Sequence, residues 1–154
     1  MPYLYIATLH LHTLTWWIIL LTGLWAIVRV WRGYLAQSAW TRHERLAGLV
    51  FSSALATQLL IGLGLYFQSP VVRPLFAGGA AGPDGFAATF FGLIHPLTMF
   101  TAVVLGQVGF SVSKRLGDDR RKYRVAVICY TAALVAVLLA VPWPWLSYGR
   151  SLMP

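Results

Sequence analysis

Four apolar runs separated by three polar stretches set the pattern along the chain. The runs cover about 5 to 31, 46 to 67, 87 to 112 and 124 to 145, each near or above the ~20 residues that a helix needs to cross the hydrocarbon core of a bilayer. Backbone polar groups in lipid must be satisfied within the segment itself, so runs of this kind fold as helices. The pattern predicts an all-α protein, a transmembrane four-helix up-and-down bundle forming one integral membrane domain over residues 1 to 154.

The polar stretches read as helix ends. Thr41 and Glu44 have the spacing of a capping box for helix 2, and Pro70 in YFQSP stops that helix. SPVVRPLFAGGAAGPDGF is the longest irregular piece, an outer loop over about 68 to 87 whose glycines follow no strand, which excludes a phosphate-binding loop. PWPW ends helix 4, with its prolines breaking the helix and its tryptophans suited to the interface.

Composition agrees: 58% of the residues are hydrophobic and 10% charged, far from the balance of a soluble domain. The net charge of +8 is concentrated in two places. Arg29, Arg32, Arg42 and Arg45 flank the first connection, and Lys114, Arg115, Arg120, Arg121, Lys122 and Arg124 flank the third. By the positive-inside rule both connections are cytoplasmic and both termini lie on the outer, periplasmic side. The basic runs read as topology anchors and contacts for anionic lipid rather than as a nucleic-acid surface. No basic residue precedes the first apolar run, which is too long for a signal-peptide core and is expected to remain as helix 1. The expected location is the bacterial inner membrane. The lone Cys129 lies within helix 4 and reads as packing.

Two histidines interrupt the apolar pattern at one depth. His12 is about seven residues into helix 1 and His95 about eight into helix 3. At ~1.5 Å per residue both sit roughly 10 Å below the outer surface. Ionisable residues within membrane helices face the bundle interior and mark function by default. Steps of three and four from His95 reach Ala88, Gly92, Met99, Ala102, Gly106, Gly109 and Ser113, and from His12 they reach Trp16, Ile19, Gly23 and Ala26. Such small-residue stripes mean close helix packing or room for a flat ligand. His10 is about 200° around helix 1 from His12 and shares its face with Leu14, Trp17, Leu21 and Leu24, so His12 is the better inward candidate. Each histidine taken singly also suits a simpler role, a hydrogen bond to a neighbouring carbonyl that ties two helices. As a pair on diagonal helices, two neutral imidazoles suit the axial positions of a metal macrocycle. Pro96 is expected to bend helix 3 by freeing a carbonyl near Gly92. His12-Thr-Leu-Thr15 also echoes His95-Pro-Leu-Thr98, four positions with three matches.

LHLHTLTWW, LLIGLGLYF, HPLTM and PWPW followed by a Gly-Arg resemble, over nearly the whole chain, a bacterial family of small four-helix membrane proteins described as cytochrome b-like. The resemblance implies haem b and electron transfer, with the family's recurring histidines falling on His10, His12 and His95. The chain departs from that pattern at Trp16, Ile94 and Ala56, where the family carries Arg, Glu and His. These departures remove groups that would hold haem propionates or orient His95, and they argue against a second haem.

The expected function is a membrane haem b electron-transfer protein or subunit, with His12 and His95 on the iron. Gly92, Ala102 and Gly106 would leave room for the ring, Trp16 and Met99 would pack against it, and His10 would lie nearer the interface. Expected partners are the lipid bilayer, a quinone and other subunits of a membrane complex, with no nucleic acid. A magnesium chlorin held by one histidine, as in a pigment-binding subunit, would use the same geometry. A cofactor-free structural or assembly subunit of a respiratory or photosynthetic complex is the rival of another class. The chain shows no relay of carboxylates for proton transport and no nucleophile, base and orienter set, so a stand-alone enzyme is the less favoured reading.

Overall fold

The structure is a computed structural model, described here for residues 2–76 and 85–152. Four long helices and one short one make up the described chain: α1 (Pro2–Leu35), α2 (Arg42–Gln68), the single turn α3 (Arg73–Phe76), α4 (Gly85–Arg115) and α5 (Asp119–Ala140). No strand occurs among the described residues. Each long helix is long and apolar enough to cross a membrane, and the chain is a multi-pass membrane protein of the all-α four-helix class.

The helices outrun the apolar runs for identifiable reasons. Arg29 and Arg32 extend α1 into the polar zone until Gln37 adopts a left-handed conformation (φ 52°) and Ser38 N–H bonds back to the Gly33 carbonyl, as in a Schellman ending. The helix 2 start expected at 46 lies at Arg42, because the Thr41–Glu44 capping box forms in full, with Thr41 N–H donating to Glu44 at 2.9 Å. Asp118 caps α5 by accepting from Arg121 N–H at 2.8 Å, so that helix begins at Asp119 rather than near 124. It ends at Ala140 rather than 145, because Pro142 has no N–H to continue the ladder. Part of the expected outer loop is the α3 turn, and residues 77–84 of that loop lie outside the described residues.

Around the bundle, α1 packs on α2 and α5, and α4 packs on the same two neighbours. This leaves α1 and α4 on a diagonal, as an up-and-down bundle requires. The core is built by aromatic rings entering the small-residue stripes. Phe51 of α2 meets Tyr130 of α5 edge-on at 5.9 Å between ring centres. A β-carbon on Gly109 would lie 2.7 Å from the Tyr130 ring and 2.8 Å from Cys129, and one on Gly106 would lie 2.6 Å from Leu55. The stripe on α4 is therefore a packing surface over most of its length.

The two basic connections meet at one end of the bundle. Glu44 pairs with Arg29, Lys122 with Asp119 at 2.7 Å, Trp40 N–H donates to Asp119 at 2.9 Å, and the Tyr123 hydroxyl donates to the Ala39 carbonyl at 3.1 Å. The three described carboxylates, Glu44, Asp118 and Asp119, all sit at this end. At the opposite end the chain after α5 folds back across the helices: Tyr148 stacks near Phe90 at 4.2 Å, Arg150 N–H donates to the Pro142 carbonyl, and Trp17 Nε1 donates to the Leu152 carbonyl at 3.1 Å.

A candidate ligand cavity between two histidines

The start of α4 is set by proline chemistry. Pro96 cannot donate to the carbonyl four residues earlier, that of Gly92. Around that gap Phe90–Ile94 winds as one π turn, with His95 N–H bonding to the Phe90 carbonyl five residues back. The Tyr66 hydroxyl of α2 donates to the freed Gly92 carbonyl at 2.9 Å. A bulge of this kind replaces a sharp kink and re-aims the side chains beyond it. His95 is the first residue after the π turn, and its Nδ1 donates to the Ala140 carbonyl at the end of α5 at 2.8 Å. A carbonyl only accepts, so Nδ1 carries the proton and Nε2 keeps its lone pair.

His12 approaches from the diagonal helix. Its ring centre lies 6.2 Å from that of His95, with the two planes at 65°. Its backbone carbonyl accepts from Gln58 Nε2 at 2.9 Å, and Thr15 bonds the amide oxygen of Gln58, so Gln58 is held by α1 on both sides. The imidazole Nδ1 of His12 is buried and has no hydrogen-bond partner among the described residues. Gly62 of α2 lies beside it, where a β-carbon would come 3.2 Å from His12 Cε1. An unpaired buried nitrogen next to a glycine is costly in a finished core and suits a place kept for a ligand.

The two rings line a cavity of about 170 Å³ together with Trp16, Gln58, Met99 and Arg150. Most of the remaining lining is aliphatic or aromatic, and among the described residues none of it is a carboxylate. Trp16 is buried, meets Trp143 edge-on at 6.1 Å, and its Nε1 has no partner among the described residues.

Of the residues singled out in the sequence, the structure brings His12, His95, Trp16 and Met99 to this cavity. His10 is exposed on the other face of α1. Gly92, Ala102 and Gly106 do not line it, which corrects the expectation that they leave room beside His95. Gly92 abuts Leu75 of α3, where a β-carbon would come within 2.6 Å, Ala102 is fully buried in the core, and Gly106 is filled by Leu55. Their shared face with His95 holds, but one turn before His95 at Gly92, and two to three turns beyond it at Ala102 and Gly106, neighbouring elements already occupy the space. Tyr66, Gln58 and Arg150 were not expected at the site. The Pro96 gap implies a donor for the Gly92 carbonyl without identifying it, and the Gly-Arg after PWPW carries no periodicity that would place Arg150.

Among the described residues no group of three or more His, Cys, Asp or Glu side chains is placed to hold a metal ion. Two imidazoles are the complement that a tetrapyrrole leaves open, since the macrocycle fills four positions on its own metal. No family model, curated protein or solved structure matches the chain.

Proposed function

We propose that the chain is a haem b-binding electron-transfer protein, or the haem-bearing subunit of a larger complex, in the bacterial inner membrane with both termini outside. The observation that carries this reading is the His12–His95 pair, 6.2 Å apart on diagonal helices, with the buried Nδ1 of His12 unpartnered among the described residues. The donor set fits: two neutral nitrogen ligands with no net charge, in an apolar cavity. Bound haem supplies a one-electron iron couple; the rest is the work of the chain. The Ala140 carbonyl fixes the tautomer and orientation of His95 and raises the basicity of its free nitrogen. Trp16 and Met99 wall the site and limit water, which tunes the potential of a buried iron. A membrane quinone or a neighbouring subunit is the electron partner in this reading, and the resemblance to the cytochrome b-like family points the same way.

One observation favours a cofactor-free subunit instead. The His95–Ala140 bond ties α4 to α5 without any ligand. It leaves His12 unexplained, and that residue separates the readings. Protein purified in mild detergent from cells with ample haem is expected to carry about one haem b per chain, with a low-spin reduced spectrum. A colourless preparation that gains no absorbance on adding hemin would overturn the haem reading in favour of the subunit.

A further inference from the structure

We infer that Arg150 makes the cavity a receptor for an amphipathic carboxylate, whose acid group pairs with the guanidinium while its apolar body lies toward His12 and His95. This deepens the haem reading and rests on it only for which carboxylate is held. Arg150 enters an apolar cavity with few partners: its Nη1 reaches the Tyr5 hydroxyl at 3.4 Å, and the guanidinium lies 4.4 Å from the centre of the Phe91 ring. A guanidinium has five donors in a planar fork that matches a carboxylate. Among the described residues the lining provides no acid, and the described carboxylates are at the far end of the bundle. Arg150 is half-buried, so the cavity desolvates its charge in part, and among the described residues no carboxylate faces it; a bound acid would supply the counter-charge.

The position is built. After Pro142 the chain turns so that Gly149 packs against backbone: a β-carbon there would be 2.8 Å from the Leu146 carbonyl oxygen and 3.0 Å from Pro144. Arg150 N–H then closes the turn on the Pro142 carbonyl at 3.0 Å. Among the described residues no lysine or second arginine lines the cavity, so the positive charge of Arg150 matches one carboxylate better than a doubly charged phosphate. The acid could be a propionate of haem or the head of a fatty acid, which share this chemistry and differ in body.

The test titrates the full chain in detergent with three probes, following absorbance and the quenching of tryptophan emission. The probes are hemin, hemin dimethyl ester, whose acids are neutralised, and dibromostearate, a quenching fatty acid. Hemin is expected to bind about tenfold tighter than its ester, the size of one charge-assisted pair. Arg150→Gln should erase that preference, and Arg150→Lys should keep part of it. If wild-type protein binds hemin and its ester equally, the carboxylate inference is overturned while the haem reading stands. If neither hemin form binds but dibromostearate quenches wild type at least about tenfold more tightly than Arg150→Gln, the haem reading falls and the inference holds. If no probe binds in a way that depends on Arg150, the inference fails.

Discussion

The Tyr66 hydroxyl donates to the Gly92 carbonyl at 2.9 Å, and Gly92 is the residue whose helical partner Pro96 removes. One side chain of α2 thus completes the backbone of α4 at the turn that delivers His95. The missing donor and its replacement form one unit, which predicts how their variants combine.

Tyr66→Phe leaves the buried Gly92 carbonyl without its donor and is expected to cost about 1–3 kcal/mol. Pro96→Ala restores an N–H to the turn and should make the Tyr66→Phe change cost clearly less. Thermal unfolding in detergent of the two single variants and the double gives the coupling directly. Strictly additive losses would show that the proline and the tyrosine act separately. On haem-loaded protein, Pro96→Ala is expected to shift the spectrum or midpoint potential more than it lowers stability, because it changes the angle of His95.

The faces of α1 separate its two histidines, since His12 lines the cavity and His10 is exposed. His12→Ala and His95→Ala are each expected to abolish low-spin haem or open it to carbon monoxide, and His10→Ala to leave the spectrum nearly unchanged. Carbon-monoxide difference spectra of the three variants check this. The reverse ranking of His10 and His12 would remove the proposed ligand pair.

Glycine substitutions read the packing. Gly109→Ala places a β-carbon 2.7 Å from the Tyr130 ring and 2.8 Å from Cys129, in a core with nowhere to shift, and should cost about 1–3 kcal/mol. Gly64→Ala on α2 meets nothing within 4 Å and should be neutral or stabilising by up to about 1 kcal/mol through helix propensity. Melting temperatures of the two variants in one detergent should move in opposite directions, or Gly64→Ala should leave its value unchanged. Equal losses would contradict the tight contact of α4 with α5.

Ten of the twelve basic residues flank the connections after α1 and α4, which the fold gathers at one end of the bundle. Reporters fused after Pro154, or inserted within residues 70 to 84, are therefore expected to signal an outer location. An alkaline phosphatase and fluorescent-protein pair at each site makes the measurement. A cytoplasmic signal from either site would place the histidine cavity on the inner side.

The apolar pattern by itself determined the number of helices, their approximate spans and the inward faces of α1 and α4, because lipid forces backbone bonds into each segment and one stripe of each helix must meet its neighbours. It determined the Thr41–Glu44 cap as well, since a capping box depends on a spacing of three residues within one turn. What lies beside a stripe depends on side chains far along the chain, and only the tertiary structure decided that. Gly106 and Gly92 read as open space until Leu55 and Leu75 are seen to fill it. Tyr66 and Arg150 reach the cavity from 26 residues before Gly92 and 145 residues after Tyr5, separations at which no periodicity links donor to acceptor. His12 and His95 share a depth by counting, but their 6.2 Å approach follows from the diagonal packing of α1 and α4 and from the π turn that Pro96 imposes.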